Sequence, residues 1–569
     1  MSSNSSGHVD LAIGLDELVL TCPEELTACL PDWQQEVRAQ SVNLRVQLST
    51  LFEAMDAAHP EPKTALVQAL SPLTEPICRA LTERDCRVTL QLLEDPGTGN
   101  EMFGVPIARD FRDFADFDLV VACDGGSRPP RNQRVVALAA AHVFPRYQRA
   151  LAEHRKQLAA QLATVVGAEK HVVFVSRKVY FNQIRMSAAL RRRGYRTAAL
   201  VLDPGSLAYF EGYFDRVLST DLCSLLLWAS GAEQALLHTQ GWLFGYDLPV
   251  LVDAFLPQSS RHVVDLMDIN SLIFPESGME RALPFMRLAW GAGVEAMQRK
   301  QVVCEKYICR HADGVLLPGV EAHVDALGAR ELGRDERFLP FLVYPLAEFF
   351  SESTPPPESS GPDPRRAREL RLVFSGGVVP TGPSHPPELF GDAQMIGTSE
   401  LLLRQGLGLT VYNNPLIGPE SSYQELYPEH LALAAQYPNY QFRLGAMPWE
   451  MKHLLADFDY GLIVYDYTGN VFGPDHFRLL IPSKLFMYVE AGLPVLVSAR
   501  AEATTRFVEA EGIGKGVSDE ELHDLPALLD TLDHRQLKRN VLLARERLAM
   551  DVQIQRLIEL YERIARPSA

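Results

Sequence analysis

Hydrophobic positions along this chain fall into two alternating patterns. Compact apolar runs are followed by stretches in which apolar residues recur every three or four positions. The first kind predicts buried strands and the second amphipathic helices. The alternation starts at Val172–Val175, a predicted strand. A helix follows over Gln183–Arg193, ended by Gly194, and then a strand at Thr197–Leu202. Further strands are predicted at Arg216–Leu218, Ala235–His238, His262–Met267 and Phe341–Pro345, with a turn and strand over Ala312–Gly319 and one long helix over Pro284–Arg310. A second, more regular series has strands at Leu370–Phe374, Leu409–Tyr412, Tyr440–Leu444, Tyr460–Tyr465, Val495–Ser498 and Gly516–Ser518. Its helices are expected at Ile396–Gln405, Ser422–Gln436, Trp449–Ala456, Ser483–Ala491 and Glu502–Glu511, with a terminal helix over Asp551–Ala565. Strand–helix–strand order predicts parallel sheets, here two of them.

The first 165 residues are less regular. Trp33–Met55 and Pro72–Leu81 have helical spacing, and Arg87–Leu93, Phe117–Cys123 and Arg134–Ala139 look like strands. Asp124-Gly125-Gly126 marks a turn, and Tyr147–Val165 reads as a connecting helix. Ser351–Arg368 is rich in Pro, Ser and charge, the composition of a semi-rigid linker. The predicted organisation is an N-terminal α/β extension (1–165), a first Rossmann-like domain (166–350), a linker (351–368), a second Rossmann-like domain (369–550) and a C-terminal helix (551–569). The extension serves either to dock an acceptor or assembly partner, or as a structural or dimerisation element.

With 569 residues, 47% hydrophobic and 22% charged, the chain is long enough for two or three globular domains. A net charge of −18 argues against a protein devoted to nucleic acid or an anionic membrane. The eight cysteines form no Cys-x-x-Cys pair and read as reduced thiols. Neither a secretory pattern at Met1–Gly7 nor an apolar run of about 18 residues is present, so no membrane span is expected and the expected compartment is the cytoplasm.

The stretch from Ile481 to Ser498 concentrates candidate chemistry. Pro482 suits the first helical position, Gly492 suits the helix end, and Pro494 blocks continuation into the strand. Ser483 and Lys484 at a helix start, beside free backbone N–H groups, make a phosphate site. A lysine there is electrostatically disfavoured unless an anion is near. Gly376-Gly377 after a strand lets a ligand approach the backbone. Asp268 and His238 are read as strand-end residues, where ligands of open parallel sheets gather. Either could handle a proton, Asp268 as a general base. There is no GxGxxG fingerprint and no metal motif.

Pro482-Ser483-Lys484-Leu485-Phe486, then Tyr488, then Ala491-Gly492-Leu493-Pro494-Val495 resembles the donor-binding helix of nucleotide-sugar glycosyltransferases. The likeness is to bacterial polysaccharide- or protein-glycosylating enzymes of the retaining, family-four type. It implies the GT-B fold: α/β, two facing Rossmann-like domains, here with an additional N-terminal α/β module. It also implies that Gly376 and Gly377 face the donor phosphates and sugar. The Leu444–Pro448 loop, with Gly445 and Met447, would touch the base. The loop 466–480 would lie by the donor sugar, with Arg478 as a second positive charge at the diphosphate. The terminal helix would cross back to the first domain. The implied donor is a nucleotide-diphosphate sugar, with no cofactor and no metal, and the acceptor a glycan, lipid-linked or protein hydroxyl. One departure stands out. The family's two Glu residues, aligned on Gly492, fall on Leu479 and Met487, so retention and inversion both stay open. The alternatives are a non-catalytic nucleotide-binding scaffold and a nucleotide-sugar 2-epimerase.

Overall fold

The computed structural model describes residues 61–68, 74–91, 101–102, 105–108, 117–122 and 135–137, then 156–566 apart from 179, 204–208, 221, 329–334, 357–364, 417–419, 466 and 468. The helix expected over Trp33–Met55 and the turn at Asp124–Gly126 lie outside the described residues.

Three sheets are present. The N-terminal module holds β1 (Thr64–Gln68), β2 (Arg87–Gln91), β3 (Glu101–Met102), β4 (Val105–Ala108), β5 (Leu119–Ala122) and β6 (Val135–Ala137), in the order β3-β4-β2-β1-β5-β6. All pairs are parallel except β3 with β4. The central strand β1 is too short, and too polar at its ends, to stand out by pattern. The helix Thr74–Thr82 lies where one is expected.

The next sheet comprises β7 (His171–Ser176), β8 (Arg196–Val201), β9 (Arg216–Ser219), β10 (Leu236–Trp242), β11 (Arg261–Met267), β12 (Gly314–Leu317) and β13 (Phe338–Pro340). Its order is β13-β12-β11-β10-β7-β8-β9, parallel throughout. The last sheet comprises β14 (Arg371–Gly376), β15 (Gly408–Asn413), β16 (Tyr440–Leu444), β17 (Tyr460–Ile463), β18 (Val495–Ser498) and β19 (Gly514–Val517), ordered β16-β15-β14-β17-β18-β19 and also parallel. All residues of β7, β17 and β18 are buried, which is why they read as unbroken apolar runs. Each sheet winds outward from its first strand in both directions, so each has a switch point, between β7 and β10 and between β14 and β17. These are two Rossmann-like lobes of a GT-B-type α/β fold, carrying an additional α/β module.

Several elements differ from the sequence reading. The helix expected over Pro284–Arg310 is two helices, Met279–Trp290 and Val294–His311. They are parted at Gly291, whose φ of +85° only glycine adopts cheaply. Pro428 splits Ser422–Gln436 into Tyr423–Leu426 and Pro428–Gln436. The last strand of the first lobe is β13, not Phe341–Pro345, a stretch that passes buried towards the second lobe. The linker begins docked: Ser351 is buried, its N–H donates to Glu490 O at 2.9 Å, and its hydroxyl donates to Ala491 O at 2.9 Å.

The terminal helix, Met550–Ala565, returns to the first lobe. Arg192 Nη2 pairs with Asp551 Oδ2 at 2.7 Å, Arg261 Nε donates to Ile564 O at 2.6 Å, and Tyr561 packs beneath β10 through His238. One apolar cluster runs through both lobes, from Phe174 by way of Val343 to Phe486 and Tyr561. Among the described residues, no helix is long and apolar enough to cross a membrane.

Candidate functional site

The two switch points face each other across a cleft. On the second-lobe side, the helix Lys484–Ala491 is held by Tyr488. The hydroxyl of Tyr488 accepts from Ser375 N–H at 2.9 Å and donates to Leu462 O at 3.1 Å. The ring lies so close to Gly461 that a Cβ there would sit 2.6 Å from it. Helix start and the Ser375-Gly376-Gly377 turn are thus tied together. Gly492, at φ +74°, ends the helix. Pro482 precedes the helix rather than opening it. Ser483 is the N-cap residue, and its side chain makes no capping hydrogen bond.

The Lys484 ammonium lies 3.9 Å from the Phe374 ring centroid and 4.9 Å from that of Tyr465. A Cβ on Gly376 would come within 2.9 Å of Nζ, so the glycine makes room for the cation. Among the described residues, no carboxylate forms an ion pair with it. The residue keeps some surface, but its charged end is enclosed, and burial pushes its pKa down to about 7.

Gly376, Gly377, Gly445, Met447, Ser483 and Lys484 all line one cavity of about 290 Å³ between the lobes. Gly445 donates to Asn413 O at 2.7 Å, and a Cβ there would meet the same oxygen at 2.7 Å. The Asn413 side-chain oxygen accepts from Val378 N–H and Asn414 N–H, each at 2.9 Å, which clamps the glycine turn. The first lobe contributes Tyr180, Asn182, Arg185, Gln240 and Met267 to the opposite wall.

A second chamber shares Tyr180, Gln240, Met267, Asn414 and Ser483 with the first, so the two are continuous. It adds Asp268, Trp242, His323 and His476. Asp268 directly follows β11 and adopts φ +47°, a left-handed conformation that is costly for a non-glycine residue and concentrated at functional sites. Its carboxylate accepts from Trp242 Nε1–H. Trp242 is itself 46% exposed at the mouth. Burial lowers the pKa of His476, and the neighbouring Asp268 charge opposes the shift.

Two expected residues are not in the cleft. His238 is not at a strand end, because β10 runs on to Trp242. It is fully buried, stacks on Phe174 with centroids 5.0 Å apart, and shares a 2.7 Å hydrogen bond between Nδ1 and the Tyr561 hydroxyl. Burial pushes its pKa down to about 3, so it stays neutral and structural. Arg478 pairs with Asp475 within the helix Pro474–Leu479, its Nη2 2.7 Å from Oδ1, and lines neither chamber. Of the two positions where the resemblance implies Glu, Met487 lines the cavity and Leu479 is fully buried in the first-lobe core. Glu490 turns away from the cavity to Arg185 of the other lobe. Sequence reasoning missed Asn182, Arg185, Gln240 and Asn413. The only local signal was the polar pair Thr239-Gln240 continuing an apolar run.

No family model matches this sequence, and no curated protein matches it. Solved structures similar to it include the glycosyltransferase SnogD from Streptomyces nogalater, at 13% identity and TM-score 0.32, covering 69% of this chain and all of that one. A UDP-N-acetylglucosamine 2-epimerase shows 12% identity and TM-score 0.34 over 70% of this chain and 97% of its own. The wall teichoic acid polymerase TagF shows 11% identity and TM-score 0.34 over 73% and 97%. The fold assignment rests on the sheet orders, not on these distant likenesses.

Proposed function

We propose that this protein transfers a sugar from a nucleoside-diphosphate sugar to an acceptor hydroxyl. The observation that carries this reading is the enclosed Lys484 ammonium, which forms no carboxylate ion pair among the described residues and is set against Gly376 in the interlobe cavity. Desolvation of the ammonium lowers its pKa to about 7 against the opposing charge of Asp392, and an anion in the cavity would favour the charged form. The diphosphate supplies one, and Lys484, Ser483 and the helix start would stabilise the charge that develops as it leaves. No metal is called upon in this reading. Gly376 and Gly377 would lie along the phosphates, and Gly445 and Met447 against the base.

The acceptor oxygen attacks the anomeric carbon as the bond to the diphosphate breaks, and its proton needs a base. Asp268 fills that role, held by Trp242 and opposite His476. This is the inverting arrangement, favoured because a neutral Met487 occupies a cavity-lining position where the family resemblance implies Glu. The acceptor is read as a glycan, a lipid-linked glycan or a protein, with the N-terminal module as a docking or assembly element and the cytoplasm as the compartment.

A thermal-shift screen of nucleotide sugars, followed by an assay of released nucleoside diphosphate, tests the reading. A transferase releases diphosphate slowly alone and rapidly with acceptor. Interconversion of the sugar without release would replace transfer by epimerisation, and binding without turnover would leave a scaffold.

A further inference from the structure

Among the described residues, three side-chain oxygens at and just behind the first-lobe wall of the cleft have no hydrogen-bond partner: Asn182 Oδ1, Gln240 Oε1 and Asp265 Oδ1. All three residues are deeply buried, at 4%, 4% and 1% exposure. Buried polar atoms are nearly always paired. Three orphans side by side, two of them on residues lining a cavity, therefore point to a ligand that brings donors.

The three are one construction. Gln240 and Asp265 are register partners on adjacent parallel strands, so their side chains leave the same face of the sheet. Asn182, at the start of the helix after β7, donates from Nδ2 to Asp265 Oδ2 at 2.9 Å. That bond orients the Asn182 amide and leaves its oxygen over. The switch point between β7 and β10 lies between these residues, where ligands of such sheets gather. Gly241 lets this end of β10 pass under Tyr246, whose hydroxyl donates to Met267 O at 3.0 Å and so locks β11 beside it.

We infer that Gln240 and Asn182, positioned by Asp265, form a binding face for the hydroxyls of a sugar ring. This deepens the transferase reading and rests on it. Acceptor oxygens select donors: a phosphate offers none, whereas a sugar ring offers several on adjacent carbons. The ring belongs either to the donor or to the acceptor. Asp265 is a positioning residue, because it acts through Asn182.

The test is titration calorimetry of the full chain with UDP, GDP, ADP, CDP and dTDP and with their sugar esters, alongside Gln240→Met, Asn182→Leu, Asp265→Leu and Asp265→Asn. Gln240→Met and Asn182→Leu are expected to weaken the sugar ester about tenfold and leave the free diphosphate unchanged. Asp265→Leu does the same. Asp265→Asn, which still accepts from Asn182, restores binding, a rescue that a packing role would not show. If the loss falls instead on the acceptor's KM, with donor affinity intact, the ring held is the acceptor's. Equal losses for diphosphate and sugar ester, or no loss in either donor affinity or acceptor KM, overturn the inference. Should the wild type bind no nucleoside diphosphate, the donor reading fails by itself. Thermal shifts with free glucose, mannose, galactose and N-acetylglucosamine then decide: a shift abolished by Gln240→Met upholds the sugar face, and no shift overturns it. Should Asp265→Leu fail to fold, the Gln240→Met and Asn182→Leu measurements decide alone.

Discussion

Arg185 and Glu490 join the two lobes through a buried ion pair. Arg185 Nη2 lies 2.8 Å from Glu490 Oε2 and Nε lies 3.1 Å from Oε1, with both side chains almost wholly buried. Leu346 N–H, on the passage between the lobes, also donates to Glu490 Oε1 at 2.9 Å. Burial still raises the Glu490 pKa despite the adjacent guanidinium. Arg185 lines the cavity, so one contact both fixes the lobe angle and shapes the site.

Removing one partner leaves an uncompensated buried charge. Arg185→Met and Glu490→Leu are each expected to cost about 3–5 kcal/mol in urea unfolding, and the double variant to recover much of that. Additive losses in the double variant would show that the pair is not coupled.

Lys484→Ala is expected to weaken nucleoside-diphosphate binding roughly 10- to 100-fold, the loss of a charge-assisted contact, without unfolding the chain. The pH dependence has a definite sign. The free lysine titrates at about 7, and a bound diphosphate favours the ammonium and raises that pKa. Binding therefore takes up a proton above pH 7, and affinity falls as pH rises from there, by up to about tenfold per unit. Calorimetry across pH 6–9 reads this slope, and Lys484→Ala should flatten it.

Gly376→Ala places a methyl group 2.9 Å from Nζ and 3.1 Å from Cε of Lys484. The end of a flexible side chain can move aside, so the fold should survive with a melting temperature close to wild type. The displaced ammonium should cost about tenfold in diphosphate affinity. Unchanged affinity would mean that the position of Nζ does not matter to the ligand.

Asp268→Asn keeps the shape and the bond from Trp242 but removes the base. Transfer should fall by about 10²–10⁴ while donor affinity stays the same. Full activity in a product assay would assign the proton to another group.

Asp265 carries its own signature in stability. Burial raises its pKa from 3.8 to about 7. A group whose folded pKa is raised favours the fold most when protonated, below the unfolded value. That contribution is lost as pH rises through the folded value. Relative to Asp265→Asn, which does not titrate, the wild type should lose stability between about pH 4 and pH 7, by as much as roughly 4 kcal/mol. Denaturant melts at pH 4.5 and 7.5 measure the difference, and parallel curves would contradict it.

How much was legible follows from the range of each interaction. The second lobe's strands β14, β15, β17 and β18 are visible because they are buried on both faces and separated by amphipathic helices, and β16 because its buried and exposed positions alternate. Ser483 and Lys484 were singled out by helix-start chemistry read locally, whereas their grouping with Gly376 came from the family resemblance. His238 was misplaced because a polar residue in the middle of a buried strand looks like a strand end when its partner, Tyr561, lies 323 positions away. The break at Gly291 was missed because one glycine in a long helical pattern is locally tolerable.

Periodicity, turn residues and helix-end chemistry act over a few positions, and they determined the α/β class, the two repeating series and the helix start at Ser483 and Lys484. The tertiary structure alone decided which polar residues meet in the cleft. Asn182 and Asp265 are 83 positions apart and Arg185 and Glu490 are 305 apart, and nothing local couples them. Only the switch points of two facing sheets bring them together, because those are the places where diverging crossovers leave a gap that side chains from distant strands can fill.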